Sequence, residues 1–128
     1  MELTREQAIA EHRKMWNWIA DESEKRNVML NKTHYFIEHN INANELKDYC
    51  FACEYAYQTY QTKGKKHSTK FCNYCPLVWE SNRRTFMCEC KDHRLDDLGL
   101  FALWRNSKTI EEHVRYARLL ANLPEKEF

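Results

Sequence analysis

The stretch CFACEYAYQTYQTKGKKHSTKFCNYCP, residues 50–76, decides how the chain is read. Cys50 and Cys53 are separated by two residues, Cys72 and Cys75 by two more, and eighteen residues lie between the pairs. Each C-x-x-C turn directs two thiolates at one ion, and two such turns complete a tetrahedron of soft ligands that leaves no position for water. The expectation is therefore one structural Zn2+ held by Cys50, Cys53, Cys72 and Cys75. A closed site of this kind stabilises a fold and does no chemistry. The competing reading of the same residues is buried thiols or a redox pair.

Two more thiols follow in CECKDH, residues 88–93, with an imidazole three positions later. Three readings of Cys88, Cys90 and His93 stay open. They are ordinary small core residues, since cysteine is among the most buried residue types. One of them replaces a member of the first set, because only four ligands are needed. Or they form a second metal site with His67 or His93.

Composition sets the frame around the cysteines. With 128 residues, 43% of them hydrophobic and 30% charged, the chain has the length and balance of one globular domain. Two glycines and two prolines are too few for the tight turns of a sandwich or barrel, and favour helices joined by polar connections. A formal net charge of +1 excludes a global field that would draw the protein to nucleic acid or an anionic membrane, so any such binding must be local. The first ten residues lack the apolar core of a signal peptide, and no window approaches a membrane span. A cytoplasmic protein is expected, and in a reducing compartment paired C-x-x-C motifs read as metal ligands rather than disulfides.

Helix signals flank the cysteine segment on both sides. Thr4 and Gln7 form a capping box before a helix over about Arg5 to Arg26, whose apolar stripe is Ala8, His12, Met15, Trp16 and Ile19. Trp18 lies well round from that stripe, so it is either covered by another element or exposed. A short helix is expected over Thr33 to His39, with Tyr35 and Phe36 as its apolar patch and Asn40 as its stop. Glu54 to Gln61 reads as a helix leaving the first cysteine turn and ended by Gly64. Arg94 to Asn106 reads as a further helix carrying Leu95, Leu98, Ala102 and Leu103, with Phe101 and Trp104 close to that side. The last helix opens on a second capping box, Thr109 with Glu112. It carries Ile110, Val114, Ala117 and Ala121 on a stripe widened by His113 and Leu120, and ends by Pro124. Only PLVW and RTFMC, between Phe71 and Cys90, have strand-like composition.

Two surfaces carry possible binding chemistry. Lys63, Lys65, Lys66 and Lys70 line the loop between the cysteine pairs and suit phosphate contact, with Tyr57 and Tyr60 near enough to stack on bases; the alternative is a solvated loop. Seven tyrosines, six phenylalanines and four tryptophans exceed what the helix stripes bury, which makes Tyr57, Tyr60, Trp18 and Trp79 candidate anchors for a protein partner. An enzymatic reading starts from Asp92–His93, which is similar to the paired Asp-His of an HNH-type nuclease. There the pair lies between the zinc knuckles, whereas here it follows both. Phosphate-loop, zinc-protease, serine-hydrolase and deaminase motifs are all absent. The remaining histidines, His12, His34 and His113, read as helix-face or core residues.

Taken together, HRKMWNWIADE (12–22), CFACEYA (50–56), CNYCPLVW (72–79) and YARLLANLPE (116–125) resemble small cysteine-knuckle proteins encoded by phages and prophages of Gram-positive bacteria. The resemblance is one of order and spacing and brings no catalytic residue with it. It implies a protein that acts in the bacterial cytoplasm by binding and diverting a host protein, components of antiviral defence included. The expected architecture is a mainly α single domain of about four helices with little β, pinned by a zinc-knuckle or zinc-ribbon-like site. Residues 1–48 supply N-terminal helices, 49–92 the zinc-binding module and 93–128 C-terminal helices. The expected function is non-enzymatic modulation or inhibition of a host protein. The alternatives are a zinc-knuckle DNA- or RNA-binding regulator using the Lys63–Lys70 loop and, third, an HNH-like nuclease.

Overall fold

The computed structural model describes residues 2–46, 50–64, 75–77 and 100–125. Within them the protein is mainly helical, with five α-helices where about four were expected: α1 (Arg5–Arg26), α2 (Lys32–Glu38), α3 (Phe51–Thr59), α4 (Leu100–Arg105) and α5 (Ile110–Ala121). A 3-10 turn covers Ala43–Glu45, and a π-helical turn, Tyr60–Gly64, extends α3. The one β feature among the described residues is an antiparallel bridge between Leu77 and Glu125. The two strand-like runs otherwise fall outside the described residues, as do positions 94–99 of the expected fourth helix.

α1 is the element on which the others assemble, packing on α5, α3 and α2. Its start follows from the capping box: Thr4 Oγ1 accepts the Gln7 N–H at 3.1 Å, and Gln7 Oε1 accepts the Thr4 N–H at 2.9 Å. The predicted stripe of Ala8, His12, Met15, Trp16 and Ile19 is buried throughout. Asn27 ends the helix in the left-handed region at φ 57°, a conformation asparagine tolerates better than most residues. The chain then turns back because the buried Ser23 hydroxyl accepts the Leu30 N–H at 3.1 Å.

Trp16 sits at the centre of the core. Trp104 meets it edge-on at 4.7 Å between ring centroids and Phe101 at 6.3 Å, which brings α4 onto α1. α5 runs antiparallel to α1: Arg118 reaches Asp21 at 2.8 Å, and Arg13 reaches Glu125 at 3.4 Å and the Leu123 carbonyl at 3.2 Å. Exposed ion pairs of this kind contribute little each, so the apolar seam carries the packing. Trp18, left open by the sequence, is covered by α2. Its ring lies edge-on to Tyr35 and to His39, both at 5.5 Å, beneath the Arg26 guanidinium at 5.6 Å. Arg26 in turn forks onto Glu38 at 2.8 and 2.9 Å, tying the end of α1 to the end of α2.

The starts of α2, α5 and α3 differ from expectation in position or in capping, each for a local reason. α2 starts one residue early because Asn31, not Lys32, is its cap: Asn31 Oδ1 accepts the His34 N–H at 3.2 Å, and His34 Nδ1 accepts the Asn31 N–H at 3.1 Å. α5 keeps only half of its capping box. Thr109 Oγ1 accepts the Glu112 N–H, but Glu112 reaches past Thr109 to the Lys108 N–H at 3.1 Å. α3 begins at Phe51 rather than Glu54 because a cysteine caps it, as described below.

Two buried histidines lock the helices together. His12 Nε2 donates to the Leu120 carbonyl at 2.8 Å, and His113 Nε2 donates to the Leu30 carbonyl at 2.6 Å. Burial disfavours the imidazolium at both sites and outweighs the carbonyls that favour it; His12, with the Lys32 and Arg13 charges also against it, falls from 6.5 to about 4. The unfolded chain therefore binds more protons than the folded one between those values. Stability is full above pH 6.5 and is lost as pH falls through about 4, by about 3 kcal/mol from His12 alone. Thermal melts followed by circular dichroism should show this decline, and His12→Gln, which keeps a donor but does not titrate, should flatten it. The Tyr35 hydroxyl is buried with no hydrogen-bond partner among the described residues, and burial pushes its pKa up to about 12. Tyr35→Phe should leave the melting temperature unchanged or raise it.

Candidate metal centre

Cys50 lies just before α3 in an extended conformation and serves as its N-cap: its Sγ accepts the Cys53 N–H at 3.3 Å. Cysteine is not among the usual capping residues, and a thiol is a poor acceptor. A thiolate is a far better acceptor than a thiol, and the N-terminal end of a helix favours negative charge. The first turn of α3 thus closes on a sulfur rather than on a hydroxyl or carboxylate.

Cys50, Cys53 and Cys75 are all buried, at 3%, 1% and 3% exposure, and belong to one contiguous core cluster. A thiolate so placed costs several kcal/mol unless a counter-charge offsets it, and a metal cation supplies that charge. Cys50 and Cys53 are donors of the type that holds zinc, and the same burial suits neutral thiols as small core residues. Among the described residues no three metal-binding side chains form a group, and Cys72, the fourth member of the expected set, lies outside them with Cys88, Cys90 and His93.

The neighbouring polar residues serve structure. Glu54, largely buried on α3, accepts from Gln58 Nε2 at 2.8 Å, and Gln58 Oε1 accepts the Leu3 N–H at 3.1 Å, so this helix is fastened to the entry of α1. His34 is occupied with capping α2, and His12 and His113 with the core, as the sequence suggested. Tyr55, Tyr57 and Tyr60 are half-buried along α3 and its π-helical extension. Lys63 belongs to that extension; its side chain lies outside the described residues, together with Lys65, Lys66, Lys70 and Trp79. What the sequence missed is the cysteine cap. The signal was present, since Cys50 stands three residues before the Cys53 N–H, where a serine would have been recognised at once.

Among the described residues no helix is long and apolar enough to cross a membrane. Comparison with protein-family models, with curated proteins and with solved structures finds no match for this chain. Its function has to be argued from its own residues.

The four-cysteine set has a direct test. Native mass spectrometry of the purified protein should show one zinc ion per chain. Cys50→Ser or Cys72→Ser should release it and broaden the melting transition, because binding free energies of about 10–16 kcal/mol in zinc-finger peptides are also folding free energies. Cys88→Ser should be much milder. Loss of zinc from that variant would move the ligand set towards Cys88 and Cys90.

Proposed function

We propose that this is a non-enzymatic, phage-type protein in which Cys50, Cys53, Cys72 and Cys75 hold one structural Zn2+, and which binds and modulates or inhibits a bacterial host protein. The observation that carries the reading is the sulfur cap of α3. It supports a metal at the base of the same helix that carries Tyr57 and Tyr60. Ion and tyrosines are then parts of one rigid element, because a closed zinc site fixes the direction in which the helix leaves it.

Half-buried tyrosines suit this role. Each offers a large, stiff contact area with a polar tip, and its partly buried ring is already ordered before the partner arrives, so little side-chain entropy is lost on binding. The target class follows from the resemblance to phage cysteine-knuckle proteins, a component of antiviral defence being one candidate.

The test is a tyrosine double substitution. Tyr57→Ser with Tyr60→Ser should leave zinc content and the melting transition nearly intact while recovery of the principal protein partner by a tagged copy falls sharply. If the variant loses its fold, the two rings belong to the core. If it folds and recovers the partner undiminished, the anchors lie elsewhere on the protein.

A further inference from the structure

Between α2 and α4 lies an open cleft of about 590 Å³, a volume typical of binding sites. Phe36, Ile41, Phe101 and Trp104 give it apolar walls, and Asn31 and Asn42 contribute amides. Lys32 also lines it. The Lys32 ammonium lies 4.8 Å from the Phe101 ring centroid and 5.6 Å from that of Trp16, and the Arg105 guanidinium lies 5.7 Å from the same Phe101 ring.

These two cations differ from most of the described arginines. Arg5, Arg13, Arg26 and Arg118 each face carboxylates. Lys32 and Arg105 have no carboxylate partner among the described residues, although they converge on one aromatic ring. Two cations there repel each other and attract an anion, and the apolar surface below them strengthens that attraction by excluding water. Ile37 lines the cleft and is 69% exposed, more than any other large apolar side chain among the described residues. The apolar surface thus continues from the cavity onto the outer face of α2. A small molecule filling the cavity would leave that continuation bare, whereas a polypeptide segment covers both.

We propose that the cleft between α2 and α4 is a docking site for an acidic segment of a partner protein, which seats an apolar side chain against Phe36, Phe101 and Trp104 and sets carboxylates against Lys32 in the lining and against Arg105, which stands outside the lining beside Phe101. The proposal rests on the protein-binding reading above and names the chemistry of the partner, an amphipathic acidic segment. It adds a second contact area to the tyrosines of α3. Recognition of this kind combines an anchor in a pocket with charge complementarity at its edge.

The experiment is selection of a random peptide display library on the purified full-length protein, followed by fluorescence anisotropy of the selected peptides. Selected sequences should carry Asp or Glu within one helical turn of Leu, Ile, Phe or Trp. They should bind the Lys32→Gln/Arg105→Gln variant about tenfold more weakly, and lose affinity in added salt. Arg105→Gln alone, at an exposed position, keeps the test valid should the Lys32 change disturb the fold, and a melting curve of each variant reports on that. No enrichment, enrichment without acidic residues, or undiminished binding to folded variants overturns the proposal. So does self-association in sedimentation that disappears in the double variant, since the occupant would then be a second copy of the chain. If a tagged double variant recovers the same principal partner as the wild type, the cleft is not the docking site although the protein-binding reading stands. If no partner is recovered while acidic peptides still bind in the cleft, that reading fails and the cleft assignment survives.

Discussion

Everything described in this protein is arranged around the indole of Trp16. It is 1% exposed, and its burial on α1 is completed by residues far away in sequence: Trp104 and Phe101 from α4, with Lys32 from the start of α2 above it. Removing such a ring from a core costs about 3–5 kcal/mol, a large part of a small domain's whole stability. α4, described from Leu100 to Arg105, is held by tertiary contact more than by propensity. It exists because Trp104 has Trp16 to meet, and because α5 follows it closely enough to pack against it.

The two buried histidines extend the same logic from packing to direction. An apolar seam is indifferent to small slips, but a buried imidazole N–H is not, since losing its acceptor leaves a desolvated donor. His12 on the Leu120 carbonyl fixes how far α5 slides along α1, and His113 on the Leu30 carbonyl fixes where the chain re-enters before α2. Acid does not remove these bonds, since an imidazolium still donates from Nε2, but it places a charge in a desolvated core, so the groups that hold the register become liabilities as pH falls. The cysteines join this core rather than hanging from it. Cys50, Cys53 and Cys75 lie in the same cluster as Trp16, so their burial and the helix packing belong to one core.

What the sequence revealed followed the distance over which each interaction acts. α1 was legible to the residue because a capping box and a stripe at helical spacing are local patterns. The start of α2 slipped by one because two adjacent residues competed for the cap and Asn31 won it through His34. The start of α3 slipped by three because its cap is a sulfur, which propensity does not anticipate. The cover over Trp18 was illegible for another reason. It depends on how α2 returns across α1, which Ser23, Arg26 and Glu38 decide jointly across a turn. The α2–α4 cleft was invisible, since its walls come from α2, the following turn and α4, and no single stretch carries its pattern.

The same distinction explains why a net charge of +1 is a poor guide to what this surface attracts. Charge that is paired at short range is spent: Arg26 with Glu38, or Arg118 with Asp21, presents almost no field beyond its own contact. Charge held over an aromatic face is not neutralised, because a ring quadrupole orients a cation without cancelling it. Lys32 and Arg105 are held in this way, each near the Phe101 ring and neither facing a carboxylate among the described residues. A chain whose totals nearly balance can therefore carry local positive charge, set by the cations that the fold positions without a carboxylate among the described residues rather than by the sum.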